Sequence, residues 1–292
     1  MKEGIVFFGV KLAGKTALIT LIEQKIIIRS IITMGGKENY AIADIARQIG
    51  VPFHKNPKLK DESFQAQLEK YSAKIGLCVS YPRIIPKIVL ELFPQGILNL
   101  HPARLPQHRG CFPTVWPILH GEDEADYTLH VMDQGIDSGP IIDKETVNFG
   151  DNDTGWSLYE RLLNALPILL VRNASCIKNG INKAKPQDEN KACYHNKKLP
   201  NDGNINWEWS ADKIVRFVRA LYSPVHTCAQ GNIEGQKREI RRAVSINSFK
   251  KQLYNPGTII EEGENLTIAC GDGIVKILDM TDFNKTKSII DA

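Results

Sequence analysis

Asn99-Leu100-His101-Pro102-Ala103-Arg104-Leu105-Pro106-Gln107-His108-Arg109-Gly110 begins inside the apolar run Gly96 to Leu100, which delivers it. Residues two apart on a strand project to the same side. Asn99 and His101 therefore stand together at the carboxyl end of a strand, where open α/β sheets bind their ligands. About thirty residues on comes Thr128-Leu129-His130-Val131-Met132-Asp133-Gln134-Gly135-Ile136-Asp137-Ser138-Gly139. Its Gly-rich end is a loop from which Asp137 can reach the same crevice. An amide donor, an imidazole and a carboxylate make an acyl-transfer set: the amide steadies a developing oxyanion, the imidazole handles a proton, and the carboxylate orients it.

Outward from this stretch, the chain alternates strands and helices. Gly4 to Gly9, Ile26 to Thr33, Ile75 to Ser80 and Gly96 to Leu100 read as buried strands. Ala13 to Gln24, Ile42 to Ile49 (stopped by Gly50), Asp61 to Ser72 and Ile85 to Leu92 read as the helices between them. This alternation predicts a parallel sheet covered on both faces, an α/β Rossmann-like domain. Pro113 to Leu119 begins another helix. Tyr127 to Met132 and Ile141 to Val147 are strands that bracket the Asp137 loop as a hairpin, and Ser157 to Ile177 is one long amphipathic helix. The first domain is expected over residues 1–180.

Residues 181–204 lie in a stretch of Lys, Asn, Gln, Asp and Pro with few large aliphatics, the composition of a linker. A second domain is expected over 205–292. It opens with a helix, Ala211 to Leu221, for which Ser210 is the cap. Short β-like runs follow at Glu239 to Ile246, Gly257 to Glu261, Leu266 to Cys270 and Ile274 to Leu278. Close spacing of short strands predicts a small barrel or open sheet.

The two spaced motifs together resemble the 10-formyltetrahydrofolate-dependent formyltransferases. The tail resembles that family's small, mainly-β, OB-like C-terminal domain through Asp202-Gly203, Ile205, Trp207, Arg219-Ala220, Pro256-Gly257-Thr258 and Ala269 to Gly273, leaving Phe283 to Ala292 unmatched. The resemblance implies that Asn99, His101 and Asp137 are the catalytic residues and that 10-formyltetrahydrofolate is the formyl donor. It also implies that the loop Ser80, Tyr81, Pro82, Arg83 and Ile84 offers backbone groups to the pterin, with Met132, Asp133, Gly135 and Ile136 as the other wall. Ala103-Arg104 departs from the Ser-Leu of many members, which bears on acceptor contacts made by that turn. The first loop of the family lies on the acceptor side, so Lys11 and Lys15 are candidate contacts for a substrate phosphate. Arg109 is either another such contact or a surface-turn residue.

Gly9-Val10-Lys11-Leu12-Ala13-Gly14-Lys15-Thr16 also fits the phosphate-loop pattern. The strands that follow end in Thr or Ser, not the Asp that would hold Mg²⁺, which argues against an ATPase. His101, His108, His120 and His130 fall at irregular intervals without zincin spacing, so no metal site is expected. His130, alternating with Leu129 and Val131, reads as packing against the site without reacting. Six scattered cysteines contain no Cys-x-x-Cys pair and read as reduced thiols. Neither a leader peptide nor a bilayer-length apolar segment is seen, and the expected location is the cytoplasm.

The acceptor divides the family. Members acting on transfer RNA carry a long basic loop after the second strand. Here Met34-Gly35-Gly36-Lys37-Glu38-Asn39-Tyr40 is short and nearly neutral, and the net charge is only +4. Nucleic-acid binding rests on many phosphate contacts. Lys237 to Arg242 is the one strongly basic stretch of the tail and reads either as an RNA footprint or, the favoured reading, as a solvated strand edge protected by charge. The expected acceptor is therefore an amino-sugar nucleotide of a cell-envelope polysaccharide or lipid A type pathway. The alternatives are methionyl-tRNA and, further off, a non-catalytic folate-binding protein. A homodimer is compatible with this reading, and nothing in the sequence fixes the oligomeric state.

Overall fold

The computed structural model describes residues 4–181, 183–224, 228–246, 254–263 and 265–282 of the 292-residue chain. The stretch Phe283 to Ala292 lies outside the described residues. In chain order the elements are β1 (Ile5–Gly9), α1 (Lys11–Glu23), β2 (Ile28–Thr33), α2 (Tyr40–Gln48), β3 (Phe53–Lys55), α3 (Glu62–Lys70), β4 (Ile75–Val79), α4 (Lys87–Leu90), β5 (Ile97–His101), β6 (Arg109–Gly110), α5 (Val115–His120), β7 (Glu124–Val131) and β8 (Ile141–Asn148). They continue with α6 (Gly155–Arg172), α7 (Ala174–Asn179), β9 (Tyr194–His195), α8 (Ala211–Leu221), β10 (Ala229–Ile233), β11 (Gln236–Ile246), β12 (Ile259–Glu261), β13 (Leu266–Ala269) and β14 (Ile274–Asp282). No described helix is long and apolar enough to cross a membrane. The six cysteines are free thiols.

The chain divides into two compact units. One takes the chain up to Gly110, Ala125–Val147 and Arg161–Tyr194; the other takes Cys111–Glu124, Asn148–Glu160 and the chain from His195. The first unit holds a seven-stranded sheet in the order β3-β2-β1-β4-β5-β7-β8. β1 and β4 are buried along their whole length, as strands covered on both faces must be. Val6, Phe8, Cys78, Val89, Phe93 and Phe64 are part of one core cluster, with Phe8 edge-on to Phe93 at 6.2 Å. β2, β1, β4 and β5 are parallel, and β7 returns antiparallel to β5. The strand order reverses between β1 and β4, which opens a crevice at their carboxyl ends. Gly9 is level with Val79 and Val79 with Leu100. The loops beginning at Val10 and Ser80 and the side chain of His101 thus leave the sheet from one edge.

The phosphate-loop pattern does not form a loop. α1 starts at Lys11, one residue after β1, and the Gly14 N–H donates to the Val10 carbonyl at 3.0 Å. A phosphate cradle needs the residues between the two glycines as open backbone converging on an anion; here Lys11, Leu12 and Ala13 are already helix. Gly14 is small for a packing reason, since a Cβ there would lie 3.0 Å from the Gly9 carbonyl carbon.

Other departures have local causes. The expected helix Ile85 to Leu92 shrinks to the single turn of α4. The expected long helix 157–177 is two helices, α6 and α7, broken at Asn173. Its amide Nδ2 donates to the Leu169 carbonyl at 2.9 Å and to Asp143 at 2.7 Å, competing with the helical ladder. β3 is an edge strand of three residues, too short to show an alternation. Residues read as linker are held to the first unit: Lys185 and Ile141 exchange two backbone hydrogen bonds of 2.8 Å.

The second unit is an antiparallel half-barrel in the order β10-β11-β14-β13-β12. Ser210 caps α8, accepting from the Lys213 N–H at 3.3 Å, and α8 buries Ile214, Phe217, Val218 and Leu221. Trp207 donates from Nε1 to the Asn232 carbonyl at 3.1 Å, and Trp209 meets Phe217 edge-on at 5.2 Å. β10 escapes the sequence reading because Gln230-Gly231-Asn232 carries no strand pattern.

Candidate active site

Asn99 and His101 project from the same face of β5, with Asn99 opposite His130 of β7 and His101 opposite Thr128. The loop between β7 and β8 folds back on them. Asp133 Oδ1 pins that loop by accepting from the Gly135 N–H at 3.0 Å and the Ser138 hydroxyl at 2.8 Å. Gly139 passes so close to Val131 that a Cβ would fall 1.8 Å from its carbonyl oxygen. Asp137 itself takes a left-handed backbone, φ 52°, a conformation Asp adopts more readily than most residues. Its carboxylate enters the crevice: Oδ2 accepts from the Gly110 N–H at 2.8 Å, and Oδ1 from Asn99 Nδ2 at 3.3 Å. His101 Nδ1 and His130 Nε2 each lie 3.7 Å from it.

The partners fix the protons. His101 Nε2 lies 3.1 Å from the His108 carbonyl, which only accepts. Nε2 therefore carries hydrogen, and in the neutral ring Nδ1 presents its lone pair beside Asp137. His130 is the reverse case. Its Nδ1 lies 3.0 Å from the Val131 carbonyl and is protonated, leaving Nε2 to accept from Asn99 Nδ2 at 3.0 Å. Both neighbours of the Asn99 amide nitrogen are acceptors, which sets the amide's orientation.

His130 is 1% exposed. Burial, only partly opposed by Asp137, pushes its imidazole down to about 4. In the unfolded chain the ring takes a proton near pH 6.5. The stability due to keeping it neutral is thus complete above that pH and lost as pH falls toward 4, on the order of 3 kcal/mol. Denaturant unfolding at stepped pH should show this slope in the wild type, and His130→Leu should flatten it.

The other expected contacts are distributed as follows. Ser80 has φ 54°, Tyr81 is buried, and Pro82, Arg83 and Ile84 are exposed, with Arg83 donating to the Pro57 carbonyl at 3.1 Å. Ile84 is 84% and Ile136 54% exposed, unusual for aliphatic side chains. Met132 stays on the sheet, its N–H bonded to the Ile97 carbonyl at 2.7 Å. Lys11 is exposed and Lys15 half-buried at the start of α1, and neither has an ion-pair partner among the described residues.

Arg109 is neither a surface-turn residue nor offered to a substrate. It is 0% exposed. Its guanidinium reaches Gln187 Oε1 at 3.1 and 2.8 Å, both carboxylate oxygens of Glu189 at 3.0 and 2.7 Å, and the Tyr194 hydroxyl. Gln187 passes this order on, donating from Nε2 to the carbonyls of Asp137 and Gly139, each at 2.7 Å. A residue from the expected linker thereby holds the backbone of the Asp137 loop. Gln187→Leu leaves two carbonyls and part of Arg109 unmet, so thermal or denaturant unfolding should show a loss of about 1–3 kcal/mol. The sequence held no signal for Gln187, which lies in a polar stretch, and it showed His130 only as a packing residue.

Residues 22–173 match the formyl transferase family and residues 198–291 match the formyl transferase C-terminal domain. The chain belongs to the formyl transferase family. This formyltransferase is 30% identical to the methionyl-tRNA formyltransferase of Thermodesulfovibrio yellowstonii over 286 residues, 95% of this chain and 91% of that protein. It is 32% identical to the methionyl-tRNA formyltransferase of Coxiella burnetii over 237 residues, 81% of this chain and 74% of the relative. Among solved structures, WlaRD, a sugar 3N-formyltransferase determined with dTDP and 5-N-formyl-THF, superimposes with a TM-score of 0.74 at 22% identity, covering 95% of this chain and 97% of that one. The N-formyltransferase of Helicobacter canadensis, in complex with folinic acid and dTDP-3-aminofucose, gives 0.74 and 22% over 96% and 100%. At that identity the likeness is one of fold.

Proposed function

We propose that this formyltransferase moves the formyl group of 10-formyltetrahydrofolate to the amine of an amino-sugar nucleotide. For the donor, the fit lies in two loops, 80–84 after β4 at the sheet's carboxyl edge and 132–136 after β7, which carry the exposed aliphatics Ile84 and Ile136. Bound there, the donor supplies an activated formyl carbon. His101 Nδ1 takes the proton of the attacking amine, imidazole being the side chain whose ordinary pKa lies nearest neutrality. Asp137, held by the Gly110 N–H, stabilises the imidazolium, which gives that proton to the donor's departing nitrogen as its bond to the formyl carbon breaks. As it turns toward His101, the longer of the two Asn99 bonds is released, and that N–H donates to the charge developing on the formyl oxygen. Such a donor is worth about 3 kcal/mol in the transition state.

The observation that carries the acceptor is the connection between β2 and α2. It runs only from Met34 to Asn39 and is tied down. Asn39, 3% exposed, accepts from the Lys11 N–H at 2.7 Å and donates to the Gly35 carbonyl at 3.2 Å, while the Gly35 N–H reaches Asn56 at 2.9 Å. Such a segment has no reach into a nucleic-acid helix. Lys11 and Lys15, beside the N-terminus of α1, suit one diphosphate. The second reading, methionyl-tRNA, is favoured by the 30% identity to the Thermodesulfovibrio enzyme over almost the whole chain. Salt separates them. Formylation of a sugar nucleotide should fall only modestly between low and physiological ionic strength, whereas transfer-RNA activity should fall steeply. The test is product formation, read by mass, across a panel of amino-sugar nucleotides and charged methionyl-tRNA at both salt levels.

A further inference from the structure

We infer that His130 is a positioning residue for the transfer: its Nε2 lone pair fixes the Asn99 amide so that the second N–H of that amide, bonded to Asp137 at 3.3 Å, is the one released to the reacting formyl oxygen. The inference rests on the formyl-transfer reading but not on the identity of the acceptor. Two hydrogen bonds carry it. The Nδ1–H of His130 is spent on the Val131 carbonyl at 3.0 Å, so only the lone pair of Nε2 remains. That lone pair accepts from Asn99 Nδ2 at 3.0 Å, a shorter bond than the 3.3 Å from the same nitrogen to Asp137. The pairing is built into the sheet, since Asn99 and His130 are direct cross-strand partners of β5 and β7.

The ring stays neutral in this role. The groups facing it are Asp137, whose Oδ1 lies 3.7 Å from Nε2, with His101 and Asp133 further contributors to its electrostatics. Burial outweighs the two carboxylates. A protonated Nε2 would set hydrogen against hydrogen at Asn99 and turn the amide oxygen toward His130, removing the donor. His130 therefore exchanges no proton with substrate. It holds an amide that, on its own, rotates freely about its terminal torsion.

The test combines spectroscopy with a mutant cycle. In the wild type, ¹⁵N imidazole NMR at neutral pH should report His130 as the Nδ1-protonated, Nε2-unprotonated tautomer, a readout independent of activity. His130→Leu should lower kcat by about tenfold or more, a share of what an oxyanion donor supplies, with the KM values for donor and acceptor within about twofold. The limbs of its pH–rate profile should stay where they are. His130→Gln, whose amide oxygen can accept from Asn99, should recover much of kcat. In an Asn99→Ala background, His130→Leu should cost nothing further, because the group it positions is gone. The opposite tautomer, an imidazolium, full activity of His130→Leu, additivity with Asn99→Ala, or loss of a pH limb would each overturn the inference. A poorly folded His130→Leu leaves the NMR tautomer and the His130→Gln variant to decide. A wild type that formylates no acceptor while showing the expected tautomer refutes the transfer reading, and the positioning role with it.

Discussion

His101→Ala is expected to lower kcat by about 10²–10⁴-fold with either acceptor while the protein stays folded. The ring is 7% exposed, its Nε2 is tied to the backbone at His108, and Nδ1 faces Asp137. Removing it takes away the one base at this position. Asp137→Ala should fall in the same range by a different route. It leaves the imidazolium uncompensated, and it frees the Gly110 N–H and one Asn99 N–H from their partner. The two losses should not add, because His101 and Asp137 act as a unit. Steady-state kinetics of both single variants and the double variant, with circular dichroism for the fold, check this. Near-full activity of either single variant would remove that residue from the mechanism.

Asn99→Ala should cost about 10²–10³-fold in kcat, the range for a single oxyanion donor. Asn99→Asp is the sharper experiment because it preserves shape. It replaces the donor with an oxygen that faces Asp137 and the lone pair of His130, so it should be at least as inactive at neutral pH as Asn99→Ala. An active Asn99→Asp variant would show that the amide hydrogens are not needed, and the transition-state role given to Asn99 would fall.

Much of this site was legible in the sequence because its parts are local. Asn99 and His101 are two residues apart on one strand, and Asp137 sits in a loop whose glycines mark its turns. The strands β1 and β4 were visible as unbroken apolar runs. What escaped depends on long-range pairing. Gln187 contacts the Asp137 loop from fifty positions away, and its neighbours have the composition of a tether. Arg109 looked available because charge beside glycine suggests a surface turn; only the fold brings Gln187, Glu189 and Tyr194 around it. The phosphate-loop pattern misled in the other direction. Its glycines serve the close approach of α1 to β1, a need that the same spacing satisfies without any phosphate. His130 was seen as packing because nothing in a strand alternation reveals which tautomer a buried ring will hold.

The specificity constant for amino-sugar nucleotides, measured beside that for methionyl-tRNA with 10-formyltetrahydrofolate as donor at physiological salt, bears most directly on the proposed function. A sugar N-formyltransferase yields a formylated amino-sugar nucleotide with a kcat/KM well above that for methionyl-tRNA. Efficient formylation of methionyl-tRNA, with no amino-sugar product across a broad panel, would contradict the proposal and assign the chain to the transfer-RNA branch of its family.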